Sequence, residues 1–117
     1  MKEGLASDIN DLAIEINGDN REKGFYDRQI PQIDRLAAFC ANVTGEVSEL
    51  WEAARKNKLG EQCDKDCDLS CFEEEMADII IRVLDTAGFY AMDIGRAIAI
   101  KLAYNKTRDI RHGGKLA

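Results

Sequence analysis

The chain has 117 residues, 22 of them acidic and 16 basic, for a formal net charge of -6. That length suits one domain with a small core, residues 1–117, and the acidic balance excludes a general nucleic-acid binder. Hydrophobic residues make up 45% with a single proline, and Ala, Leu, Ile, Glu, Lys and Arg are frequent, so an all-α domain is expected.

The first apolar pattern, Ile9, Leu12, Ala13 and Ile16, predicts a short amphipathic helix from about Ser7 to Asn17. Gly18-Asp19-Asn20 reads as its stop. Phe25 and Tyr26 then fall on a connection. Their ordinary role is a hydrophobic plug over a bundle; the alternative is a stacking surface for a flat ligand such as a nucleobase.

Pro31 suits the first turn of a long second helix, expected to reach about Lys56 on the stripe Leu36, Phe39, Cys40, Val43, Val47, Leu50 and Ala54. Glu46 lies on the shoulder of that stripe and Glu49 beyond it, while Trp51 sits at the opposite shoulder as a packing residue or a contact to a second subunit. From Asn57 to Leu69 the periodicity gives way to a loop holding Cys63 and Cys67.

Ser70-Cys71-Phe72-Glu73 has the form of a capping box and predicts a sharp third helix start, with an end between Ala87 and Tyr90. Its apolar residues cover more than half of the wheel, which predicts a homo-oligomer, dimer or tetramer. Glu75, Asp78, Arg82 and Asp85 form a polar stripe that, taken alone, reads as a solvated face. Asp93 is a cap for a fourth helix to about Thr107. The four segments together predict a four-helix bundle.

Charge is unevenly spread. Residues 101–117 hold five Lys or Arg and one Asp, which leaves 11 of the 16 basic and 21 of the 22 acidic residues for the first hundred. A basic end beside an acidic body is either a solvated terminus or a phosphate-binding arm. No apolar run approaches a membrane span and no signal-peptide pattern opens the chain, so a cytoplasmic protein with no membrane partner and with reduced thiols is expected.

Two carboxylate pairs stand out: Glu46 with Glu49, and Glu75 with Asp78. An i,i+3 spacing places each pair on one helix surface, so two packed helices could converge four carboxylates. Like charges so close require protons or a cation, and oxygen-only ligands suit Mg2+, with Mn2+ also possible.

The ordered set Gly45-Glu46-Val47-Ser48-Glu49-Leu50 and Glu74-Glu75-Met76-Ala77-Asp78-Ile79-Ile80 resembles the ExxE…ExxD signature of the MazG-like, all-α nucleoside triphosphate pyrophosphohydrolases. The ending from Lys101 to Arg108, followed by Arg111-His112-Gly113-Gly114-Lys115, is similar to that of small single-domain members. The resemblance implies magnesium on Glu46, Glu49, Glu75 and Asp78, and hydrolysis of a (deoxy)nucleoside triphosphate to monophosphate and pyrophosphate, a housecleaning of nucleotide pools. Glu49, at the edge of the cluster, is the candidate base. Lys101, Asn105 and Arg108 share a face at i, i+4 and i+7 and are candidates to hold substrate, with Tyr104, Arg111, Lys115 and Phe25. His112 reads as an exposed tail residue.

Two alternatives remain beside this one. A phosphoribosyl-ATP pyrophosphohydrolase activity is disfavoured because the third helix continues Ile79-Ile80-Ile81-Arg82 without the Tyr-His pair associated with those enzymes. A non-catalytic helical interaction module would leave the acidic stripes solvated. Cys63, Cys67 and Cys71, spaced four apart, match no iron-sulfur pattern in full, and a soft-metal or redox role ranks as a minor reading.

Overall fold

The structure is a computed structural model that describes residues 1–63 and 67–108. Four helices account for most of it: α1 (Leu5–Glu22), α2 (Gln32–Arg55), α3 (Cys71–Phe89) and α4 (Ile94–Lys106). Helix α3 packs against both α1 and α2, and α4 packs against α1. Among the described residues the only extended pairing is a bridge between Gln62 and Ser70.

The local start signals act as their chemistry requires. At α3 the Ser70 hydroxyl accepts from the Glu73 amide at 3.1 Å while the Glu73 carboxylate accepts from the Ser70 amide at 3.0 Å, a reciprocal capping box. Asp93 caps α4 by accepting from the Arg96 amide at 3.1 Å. Pro31 is the residue just before α2. A second device at α4 comes from α1: Asn10 donates to Asp93 and accepts from the Gly95 amide, both at 2.8 Å. These amide bonds hold the Asp93 carboxyl below its usual range.

Gly18-Asp19-Asn20 does not stop the first helix, which runs on to Glu22. Asn17, one residue earlier, is buried, donating to Asp85 on α3 and accepting from Arg21 on the next turn. Those tertiary contacts hold the backbone helical through a glycine that local preference alone would use as an end. Helices α1 and α3 approach closely at Gly88, where an added Cβ would lie 2.5 Å from the Ala13 carbonyl oxygen.

The apolar core is small. Among the described residues Ala13, Cys63, Leu84 and Ala87 are its buried members, while Trp51 is 64% exposed and Val47, Phe72, Met76 and Ile80 are also open. Val47, Leu50, Trp51, Ala54, Leu59 and Phe72 line an apolar hollow of about 300 Å³ on that side. No helix among the described residues is long and apolar enough to cross a membrane.

Candidate metal centre and its cleft

Helices α2 and α3 lie side by side, so their polar shoulders face one another. Glu46 on α2 and Glu75 and Asp78 on α3 each place a carboxylate oxygen within 4.8 Å of the others. Glu49, one turn beyond Glu46, is exposed and stands outside that group, though its charge is still felt at Glu75. Three of the four paired carboxylates are thus brought together and the fourth lies at the edge.

Glu75 is the electrostatic centre. Burial raises its pKa most, then a hydrogen bond with Glu46 and the charges of Glu49, Glu46 and Asp78, to about 7. A hydrogen bond between two carboxyl groups needs a proton on one of them. The Oε2 atom of Glu75 is buried with no hydrogen-bond partner, an arrangement that ordinarily costs free energy unless an ion or proton satisfies it.

The polar stripe of α3 is not simply solvated. Arg82 places Nη2 2.9 Å and Nε 3.0 Å from Glu46 Oε1, tying α3 to α2. Asp85 accepts from the Tyr26 hydroxyl at 2.6 Å and from Asn17 at 2.9 Å. Burial and then the bond to Asp85 push the Tyr26 phenol well above its usual range. Tyr26 stacks on Phe89 with ring centres 4.5 Å apart, and the guanidinium groups of Arg21 and Arg35 lie within 5.5 Å of both rings.

Arg82, Asp85, Tyr26 and Arg35 border a cleft of about 600 Å³. Glu46, Asp78 and Arg82 form part of its wall, and Phe25, Tyr26 and Arg35 form another part. Phe25, 68% exposed, is the candidate substrate residue that the fold brings to the cleft. Lys101, Tyr104 and Asn105 instead lie exposed on α4 and, with Arg108, are not part of the cleft wall. They form a cluster of their own, with Lys101 4.9 Å and Arg108 5.3 Å from the Tyr104 ring centre and Arg108 donating to Asn105 at 3.4 Å. Arg111, His112 and Lys115 lie outside the described residues.

Arg35 and the Asn17–Asp85–Tyr26 network escape a reading of the sequence alone. Asp85 does repeat Glu75 and Asp78 at helical spacing, but periodicity cannot distinguish a carboxylate facing water from one facing a tyrosine on another element.

The arrangement defines an all-helical protein with a carboxylate cluster set into an arginine-bearing cleft. Comparison of the chain with protein-family models, with curated proteins and with solved structures returns no match.

Proposed function

We propose that the chain is a magnesium-dependent hydrolase that splits the α–β anhydride of nucleoside triphosphates, deoxynucleotides among them, into monophosphate and pyrophosphate. The observation that carries this reading is the buried, unpartnered Oε2 of Glu75 beside the carboxylates of Glu46 and Asp78. Such a donor set fits a hard divalent ion. The ordered likeness to the MazG-like signature, with its ExxE and ExxD pairs, adds the substrate class.

Glu46, Glu75 and Asp78 would hold magnesium, with Glu49 as a further ligand or as the base. When bound, magnesium supplies charge neutralisation for phosphate oxygens. Arg82 and Arg35 border the same cleft and would balance anionic phosphate. Phe25 would offer its exposed ring to a nucleobase. Glu49, exposed at the edge of the carboxylate cluster, would take the proton from the attacking water. Lys101, Tyr104, Asn105 and Arg108 serve this site only if brought to it from a second copy.

A second copy is part of the proposal. The described residues expose many large apolar side chains. Much of this apolar surface lies on α2 and α3 around Trp51 and Ile80. A homodimer or homotetramer closing on that face would supply the missing core.

The test is a panel of nucleoside and deoxynucleoside triphosphates incubated with magnesium, with products separated chromatographically. Pyrophosphate and monophosphate from at least one nucleotide, lost in Glu75→Gln and Asp78→Asn, is the expected outcome. Release of single phosphate would refute the bond assignment, and absence of both turnover and magnesium-dependent nucleotide binding would leave the helical interaction module as the better reading.

A further inference from the structure

Away from the carboxylate cluster, the connection from α2 to α3 is folded by its own backbone. The Cys63 amide donates to the Leu69 carbonyl at 2.8 Å, the Cys71 amide to the Glu61 carbonyl at 2.7 Å, and the Phe72 amide to the Leu59 carbonyl at 3.0 Å. The loop thereby closes on itself and brings side chains from its two arms together. Cys63 is buried and is joined to Cys67 as a disulfide, where the sequence alone suggested reduced thiols; the carboxylate of Glu74 lies with both sulfurs inside a 4.8 Å group. Cys71 keeps a free thiol at the first position of α3, three residues before Glu74 and so on the same helix surface.

We propose that, once reduced, this loop is a zinc site with Cys63, Cys67 and Glu74 as ligands and Cys71 as the fourth, independent of the carboxylate site and of any nucleotide chemistry. Two or three thiolates with a carboxylate are soft enough to select zinc over magnesium. Bond lengths of about 2.3 Å to sulfur and 2.0–2.2 Å to oxygen put tetrahedral donors less than 4.8 Å apart; the Glu74 carboxylate is already within that reach of both sulfurs, which are bonded to each other and would separate on reduction. Among the loop's described residues Cys63 is the buried apolar member, and a cross-link or a metal is an ordinary means of holding a segment with so small a core. The disulfide and the metal are then two states of one staple.

The chemistry balances. A phosphine reduces the Cys63–Cys67 bond by two electrons, taking oxygen from water to become the phosphine oxide and leaving two thiols. Zinc then displaces the protons from the coordinating thiols into solvent.

The test uses the full chain reduced with a phosphine, freed of metal, and titrated with cobalt(II) as a coloured stand-in and then with zinc. One equivalent of cobalt with a sulfur-to-metal charge-transfer band, bleached by one equivalent of zinc, is expected. Cys67→Ser should lose the band, Glu74→Gln should weaken cobalt binding, and Glu75→Gln and Cys40→Ser should leave the band unchanged. Far-UV circular dichroism checks that the variants keep their helices, and Cys71→Ser gives a second thiol variant should Cys67→Ser fail to fold. Cobalt binding without the charge-transfer band, a band that survives Cys67→Ser in a folded chain, or no binding by the reduced chain would each overturn the proposal. Loss of the band in a folded Glu75→Gln would tie the thiol site to the carboxylate cluster and overturn its independence as well.

Discussion

Arg82 on α3 and Glu46 on α2 meet through two donors on one oxygen: Nη2 at 2.9 Å and Nε at 3.0 Å from Oε1. The pair ties together the two helices that carry the acidic cluster, and it leaves Glu46 Oε2 outside these two contacts. Arg82 also borders the cleft, so the proposed chemistry assigns it two tasks: orienting Glu46 and facing phosphate. Arg82→Ala is therefore expected to lower kcat on the preferred nucleotide by roughly 10²–10³-fold, the usual loss for one preorganised charge-stabilising donor. Steady-state kinetics with Arg82→Lys alongside separates charge from fork geometry, because lysine keeps the charge but cannot reproduce the paired contact. An unchanged kcat in Arg82→Ala would remove the residue from the chemistry.

Glu75 sets a pH dependence whose sign follows from its raised pKa of about 7 against the ordinary 4.5. Between those values the folded chain binds more protons than the unfolded one, so this group stabilises below about 4.5 and its contribution is lost as pH rises through about 7. Metal-free protein should show a falling Tm between about pH 5 and 8, and Glu75→Gln should flatten that fall. Glu73 and Asp93, whose pKa values are lowered, act in the opposite sense and only below their ordinary 4.5 and 3.8, so the windows do not overlap. The proposed magnesium would compete with the same proton. Its affinity, measured by calorimetry in two buffers of different ionisation heat, should rise with pH through about 7 with release of close to one proton.

Two glycines on helices predict opposite outcomes. Gly88 packs so closely on α1 that an added Cβ would meet the Ala13 carbonyl oxygen at 2.5 Å, Asn17 Cβ at 2.9 Å and the Ala13 carbonyl carbon at 3.0 Å. Two of these three atoms are backbone, so Gly88→Ala should cost roughly 1–3 kcal/mol in urea unfolding despite the helix preference of alanine. Gly18 has nothing within 4 Å of its Cβ position, and Gly18→Ala should stabilise α1 by about 0.5–1 kcal/mol.

Signals confined to a few neighbouring residues were readable in the sequence, and signals that depend on how helices turn toward each other were not. Ser70 with Glu73, Asp93 with the Arg96 amide, and the Pro31 boundary are short-range chemistry. So are the i,i+3 carboxylate pairs, of which Glu46, Glu75 and Asp78 come together and Glu49 stays at the rim. Gly18 failed as a stop because Asn17 is held from α3, across 68 positions of sequence. The polar stripe through Arg82 and Asp85 looked solvated because its partners, Glu46 and Tyr26, lie on other elements. Lys101, Asn105 and Arg108 share one helix face as their spacing requires, yet spacing carries no information on which helix α4 would choose, and it packs on α1.

Asp85 collects both oxygen contacts of a network that closes the α1 side of the cleft, at 2.6 Å from the Tyr26 hydroxyl and 2.9 Å from Asn17. Asp85→Ala strands the buried Asn17 amide and the Tyr26 phenol together and should cost about 2–4 kcal/mol. Tyr26→Phe removes one donor and leaves Asp85 its bond to Asn17, so it should cost less, while in Asp85→Ala the Tyr26 phenol should titrate closer to its usual range in ultraviolet absorbance. Equal losses in the two variants would mean that the Asn17–Asp85 bond adds nothing, and negligible losses in both would mean that the ring stack on Phe89, which both variants keep, holds Tyr26.

The proposed pairing of copies rests on Trp51, whose ring is 64% exposed beside an apolar hollow also lined by Val47, Leu50, Leu59 and Phe72. A tryptophan at the centre of an interface typically accounts for 2 kcal/mol or more of association, about thirtyfold in Kd. Trp51→Glu should accordingly shift the species seen by light scattering from oligomer toward monomer at micromolar concentration. The monomer should also melt at a lower temperature, because four buried apolar residues among those described give it little core of its own. If the parent chain is already monomeric, the α2–α3 face does not serve self-association. Lys101 and Arg108 then have no route to the carboxylate cleft from a neighbour, and among the described residues Arg35 and Arg82 would be left to hold the phosphate.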